Sequence, residues 1–332
     1  MKELAIIGAG SWGTALSLVL APRFPGVRLW IYEQDLATRM VKLRENDLYL
    51  PGFQLPANVR VETELAAALG DAEIVLGVMP SHHARRLYTE MLPYLKPTMR
   101  IVSATKGLEE GTRQRMSEVI RHVAGRRFEP MVAALSGPTF AREVARGEPA
   151  AVVIASEDPA LAAEIQAAFS GPNLRLYTNT DLLGVEIAAS LKNVIAIGAG
   201  VCHGLGLGNN TNAALITRGL VEMTRLAVAL GARPATLSGL AGLGDLVLTC
   251  TGELSRNRSV GIKLARGHRL EEIVASMRMV AEGVKTTYSA VELGRQLGVD
   301  LPITNQMYEV LRNGKPPREA IRELMERSLK PE

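Results

Sequence analysis

Cysteine is nearly missing from this chain of 332 residues, with Cys202 and Cys250 as the whole complement. Two cysteines make neither a disulfide framework nor a CxxC metal spacing, and they point to a reducing, cytoplasmic setting. The histidines at 82, 83, 122, 203 and 268 form no HExxH or paired-ligand pattern, so no metal site is expected. Aromatics are scarce: five Phe and seven Tyr are too few for the stacking surface that single-stranded nucleic acid requires. No block of five like charges occurs. The net charge of +4 suits a small anionic substrate without demanding nucleic acid. Uninterrupted apolar runs fall well short of the ~18 residues of a membrane span. Met1-Lys2-Glu3 leads straight into an apolar strand pattern rather than a secretory signal, and the expectation is a cytoplasmic chain without a membrane span.

The sequence is long enough for two domains at roughly 150 residues each. Short β-branched runs recur through its first half: "LAIIG", "VRLWIY", "EIVLGVM", "RIVSAT", "PMVAALS", "AAVVIAS" and "LRLYT". Helical stretches lie between most of them, which predicts a doubly wound, mostly parallel α/β sheet over 1–180. From Asp181 onward the strand signal fades, and helical patterns cover 181–203, 211–231, 256–277, 283–297 and 304–328. An all-α domain over 181–332 is expected.

Chemistry concentrates in a few segments. "IIGAGSWGTAL" places Gly8, Gly10 and Gly13 as GxGxxG between a strand and a helix, the dinucleotide-binding, Rossmann-type arrangement. Glu33 ends the second strand, "LWIYEQD", about 20 residues further on, where a carboxylate receives the adenosine ribose 2′-hydroxyl of NAD and repels a 2′-phosphate. A solvated loop acid is the ordinary alternative. Lys106 in "SATKGLEEGT" follows a strand end, as an anion ligand or a plain surface lysine. In "LSGPTFAREVARG", Gly137 and Pro138 shape a turn and Thr139 can cap a helix whose early N–H groups could contact an anion. The glycine-rich loop "GLAGLGDLVLTCTGELSRNRSVG" carries Asp245 and then Arg256-Asn257, a guanidinium with a neighbouring amide suited to a phosphate monoester, or simply a helix start with solvated arginines. Glu282 in "VAEGVKT" sits at a helix start, where an acid also suits the dipole. Lys192 interrupts "IAASLKNVIAIGAG", a run that otherwise reads as a buried helix. A buried ammonium is either compensated or used, unless its stem packs while its head snorkels to water.

From about Leu4 to about Leu329, these motifs in this order resemble the NAD(P)-dependent glycerol-3-phosphate dehydrogenases of the bacterial type. The resemblance implies that Lys192 is the general acid/base at the C2 oxygen of dihydroxyacetone phosphate, with Asp245 holding it in register. Lys106 and Arg256 are then the cations placed to lower its pKa. Ser11, Trp12, Lys106, Ala141, Arg256, Val280 and Glu282 match cofactor contacts, beside the glycines and Glu33. Lys106, Gly137, Thr139, Lys192, Asp245, Ser255, Arg256 and Asn257 match the substrate pocket, with Thr249 and Asn193 in support. A homodimer and a role in supplying sn-glycerol 3-phosphate for phospholipid synthesis are further implications. One position departs from the family. Many bacterial members carry an arginine for the 2′-phosphate of NADP where this chain has Tyr32, so NADH is expected to serve at least as well as NADPH. Other β-hydroxyacid dehydrogenases of the same architecture, or a regulator that binds a nicotinamide without turnover, are the rival readings.

Overall fold

The structure, a computed structural model, describes residues 3–277, 281–329 and 331. It divides into two compact units, Met1–Glu109 with Gln114–Glu186, and Glu110–Arg113 with Ile187–Glu332. Nothing in the sequence pattern singles out 110–113 as belonging with the second unit.

The first unit alternates strand and helix: β1 (Glu3–Ile7), α1 (Ser11–Leu20), β2 (Val27–Trp30), α2 (Gln34–Leu43), β3 (Val59–Glu62), α3 (Leu65–Leu69), β4 (Ala72–Gly77) and α4 (Ser81–Met91). It continues through β5 (Arg100–Ser103), α5 (Met116–Ala124), β6 (Met131–Ser136), α6 (Ala141–Ala145), β7 (Ala150–Ala155), α7 (Pro159–Phe169) and β8 (Leu174–Asn179). The strands form one sheet in the order β3-β2-β1-β4-β5-β6-β7-β8. All neighbours are parallel except β6 and β7. Strand order reverses between β1 and β4, so the glycine loop after β1 lies at the switch point where open sheets of this kind bind ligands.

Both faces of the sheet are covered, which is why its central strands read as nearly continuous apolar runs. Leu4, Ile6, Leu29, Ile74 and Leu76 pack on one face, and Ala5, Ile7, Val75, Ile101 and Val132 on the other. Burying one such side chain contributes about 1.5–3 kcal/mol. The sequence pattern misses β3. It is a four-residue edge strand, Val59-Arg60-Val61-Glu62, whose alternating charges suit one exposed side and leave too short a signal.

The second unit holds α8 (Leu182–Gly204), which begins in the first unit's last residues, followed by α9 (Asn209–Ala229), α10 (Pro234–Leu237) and a π-helical turn at Leu240–Gly244. Next come α11 (Asp245–Thr251), α12 (Arg256–Ala265), α13 (Leu270–Ala275), α14 (Glu282–Leu297), α15 (Pro302–Asn313) and α16 (Pro317–Met325). The stretches 256–277 and 304–328, read as single helices, are each broken, at Gly267-His268 and at Gly314 through Pro316. The run read as a loop before Arg256 is largely helical. One of its glycines serves close packing: a Cβ on Gly242 would lie 2.0 Å from the Leu237 carbonyl oxygen.

Helix α8 is long and apolar enough to cross a membrane by length and composition, because only Glu186 and Lys192 carry a full charge along it. Almost all of it is buried inside the protein, as befits a core helix. It crosses α12 at backbone contact, since a Cβ on Gly261 would lie 2.0 Å from the Ile197 oxygen and one on Gly200 2.0 Å from the Arg258 oxygen.

Candidate active site

In the first unit, the loop after β1 is shaped by steric necessity. Gly8 has φ +117°, and a Cβ there would meet the Val78 oxygen at 2.8 Å. A Cβ on Gly13 would lie 1.9 Å from the Gly8 oxygen, so α1 can approach the strand only without one. At Gly10 a Cβ would enter open space, immediately before α1, whose start has no side-chain cap. The first N–H groups of α1, from Ser11 and Trp12, have no carbonyl within their own helix to bond. Open space against uncapped N–H groups fits a diphosphate. Buried Asn46 stiffens the loop, donating at 2.8 Å to the Ala9 carbonyl and at 2.8 Å to Thr14 Oγ1.

Glu33 is exposed at the end of β2 and accepts a 2.7 Å hydrogen bond from the Tyr49 hydroxyl. Partial burial and that carboxylate together push the Tyr49 pKa up to about 12. Lys106, just past β5, donates at 3.2 Å to the Gly137 carbonyl, just past β6. Gly137 has φ +146°, and a Cβ there would strike the Val152 Cα at 2.9 Å. Thr139 is not a helix cap. Its hydroxyl turns back to the Gly137 carbonyl at 3.3 Å, and α6 opens one residue later than a Thr139 cap requires, at Ala141.

In the second unit, the buried lysine is compensated. Lys192 Nζ, on a side chain 7% exposed, donates to Asp245 Oδ1 at 2.8 Å and to Thr249 Oγ1 at 2.7 Å. Asp245 and Thr249 stand one turn apart on α11, and the threonine hydroxyl itself donates to the Asp245 carbonyl at 2.6 Å. The carboxylate stabilises the ammonium and the hydroxyl fixes its direction. One residue along α8, Asn193 Oδ1 accepts from Asn257 Nδ2 at 2.9 Å, and Asn257 Oδ1 accepts from the Gly283 N–H at 2.9 Å. The Asn257 amide therefore ties α8, α12 and α14 together, and its side chain is largely committed inward. Ser255 caps α12 by accepting from the Arg258 N–H at 3.2 Å.

Arg256 opens α12 with its surface exposed. Enough protein crowds its guanidinium that desolvation lowers its pKa, while the charge of Glu282, first residue of α14, pulls the other way. An arginine stays charged regardless. Val280 lies outside the described residues. Burial pushes the Cys250 thiol up to about 12 and also raises that of Cys202, so both are poor nucleophiles. Among the described residues no group of three or more His, Cys, Asp or Glu could hold a metal ion.

The models of the NAD-dependent glycerol-3-phosphate dehydrogenase N-terminus and C-terminus match residues 3–162 and 181–322. The chain belongs to this glycerol-3-phosphate dehydrogenase family. A relative from Koribacter versatilis (strain Ellin345), named glycerol-3-phosphate dehydrogenase, NAD(P)+, is 56% identical over 98% of each chain. One of the same name from Geobacter sp. (strain M21) is 52% identical over 100% of this chain and 99% of its own. The crystal structure of a glycerol-3-phosphate dehydrogenase from Coxiella burnetii superposes with a TM-score of 0.93 at 40% identity, over 98% of this chain and 99% of that one. Against that family background, Asn46 and Tyr49 support the dehydrogenase's glycine loop and Glu33 without any mark in the sequence. "RENDLYLPG" carries no motif, and only proximity in the fold brings these residues to the loop.

Proposed function

We propose that this chain interconverts dihydroxyacetone phosphate and sn-glycerol 3-phosphate, using NAD(H) or NADP(H). Residues 1–180 hold the dinucleotide and 181–332 the substrate. The observation that carries this reading is the ammonium of Lys192, buried in a helix core and bonded to Asp245 and Thr249. A lysine kept protonated there is a general acid ready for a developing alkoxide.

The bound nicotinamide supplies or accepts a hydride. In reduction, Lys192 Nζ gives a proton to the C2 oxygen, completing the hydroxyl, and becomes a neutral amine; in oxidation it takes that proton back. Asp245 holds the ammonium and orients it. Arg256 and the first N–H groups of α12 bind the phosphate, with Ser255 holding that helix start in place. Asn257 serves chiefly by fixing α12 against α8. On the resemblance, Lys106, Gly137 and Thr139 also serve the substrate, and Ala141, Arg256, Val280 and Glu282 the cofactor.

The carboxylate of Glu33, with Tyr32 where the family often has arginine, supports use of NADH at least as well as NADPH. The cytoplasm is the proposed location, supported by two free buried cysteines. A homodimer is supported by Leu243 and Val247, exposed apolar side chains within one turn of each other. The product would feed phospholipid synthesis.

Steady-state oxidation of NADH and NADPH with dihydroxyacetone phosphate, beside Lys192→Ala, tests the reading. Wild-type turnover reduced by about 10²–10⁴-fold in the variant is expected. Absence of turnover in protein that binds NADH would point to another hydroxyacid or to a regulator.

A further inference from the structure

The segment that ends β2 contains no cation beside Glu33, yet the fold brings one there. Arg86, from α4, places its guanidinium carbon 5.5 Å from the centre of the Tyr32 ring. Tyr32 is 63% exposed and directly precedes Glu33. Helix α4 follows β4, and β2 and β4 flank β1 on its two sides, so this contact joins the segments that leave the two neighbours of the strand ending in the glycine loop. Other arginines of this region are engaged elsewhere: Arg39 meets Asp47 at 2.9 and 3.2 Å, and Arg28 meets Asp71 at 3.0 Å and the Ala67 carbonyl.

We propose that Arg86 is the counter-ion for the 2′-phosphate of NADP(H), so that a chain whose Glu33 favours the free ribose still accepts the phosphorylated cofactor. This rests on the dinucleotide reading of the first unit. A guanidinium resting on an aromatic ring still carries a planar fork of N–H donors, and two of them match two phosphate oxygens. The competing partner is weak. Glu90 pairs with Arg86 at 3.2 Å one helical turn away, and both side chains are nearly half exposed, at 43% and 49%. Glu33 acts in the opposite sense, through repulsion of the phosphate, while its own hydrogen bond from Tyr49 holds it in position. The two charges together set cofactor choice.

Calorimetric titration of the whole protein with adenosine 2′,5′-bisphosphate and with 5′-AMP separates these contributions without turnover. Arg86→Ala should weaken the bisphosphate about tenfold or more, with AMP changing far less, and Arg86→Lys should recover part of the difference. Equal losses for both ligands would place Arg86 against the adenine and overturn the proposal, as would unchanged affinities. Wild-type protein that binds AMP but not the bisphosphate would overturn it while sparing the dinucleotide reading. Binding of neither ligand, nor of NADH, would remove that reading too.

Discussion

Lys192 has three N–H donors in a place almost without water, and Thr249 takes one of them. Replacing Thr249 by valine keeps the shape and removes the acceptor, leaving part of an ammonium unsatisfied. An unmet buried donor costs about 1–3 kcal/mol. Thr249→Val should therefore lower kcat by about tenfold with little change in the KM for NADH, and Thr249→Ser should restore most of it; kinetics of the three proteins check this. Wild-type kcat in the valine variant would mean that Thr249 is not needed to position the lysine. At this scale the sequence is legible where a charge breaks an apolar run, as Lys192 does. It is less so at Asn257, which looks like a phosphate clamp because it adjoins Arg256. Successive residues of a helix point about 100° apart, and in α12 this turns one residue outward and the other into the core. Arg86 gives no sign of itself, since its partner Tyr32 lies on another element.

Helix α8 can present Lys192 beside the start of α12 because glycines let the two backbones touch. Gly261 and Gly200 each face a carbonyl at a distance that no Cβ tolerates. Gly261→Ala must push the helices apart, at about 1–3 kcal/mol or more. In a unit of this size that is a fall of several degrees in Tm. Affinity for the substrate phosphate should fall with it, because Arg256 rides on α12. Gly208→Ala is the control: a Cβ there meets nothing within 4 Å, and its Tm should stay close to wild type. Thermal unfolding of both variants reads the difference, and equal stability would mean that α8 and α12 accommodate a methyl group at Gly261 without cost. The alternation of strands and helices was readable because both sheet faces are buried. The helical character of 245–251 was hidden, since the glycines just before it signal a loop in sequence, whereas Gly242 serves close packing.

Across the whole molecule the same device recurs, one buried carboxylate in each unit capping the start of a helix on another element. Glu186 accepts from the Ser117 N–H at the start of α5. Glu222, on α9, accepts from the N–H groups of Ile303 and Thr304 at the start of α15. Both interrupt apolar patterns as Lys192 does, yet neither lies in a motif that would mark it in the sequence. Desolvation is the largest influence on each and outweighs the hydrogen bonds, raising Glu186 and pushing Glu222 up to about 7 from a usual 4.5. Between those values the folded protein holds more protons at Glu222 than the unfolded chain does. Its stabilising effect is then complete below about pH 4.5 and is lost as pH rises through 7. A shift of this size corresponds to about 3 kcal/mol. Denaturant unfolding from pH 5 to 8, comparing wild type with Glu222→Gln, should show the stability difference moving against wild type by about 2 kcal/mol as pH rises. A difference that stays flat across the range would mean the N–H groups of α15 hold the carboxylate ionised throughout, with hydrogen bonding stronger than burial at that helix start.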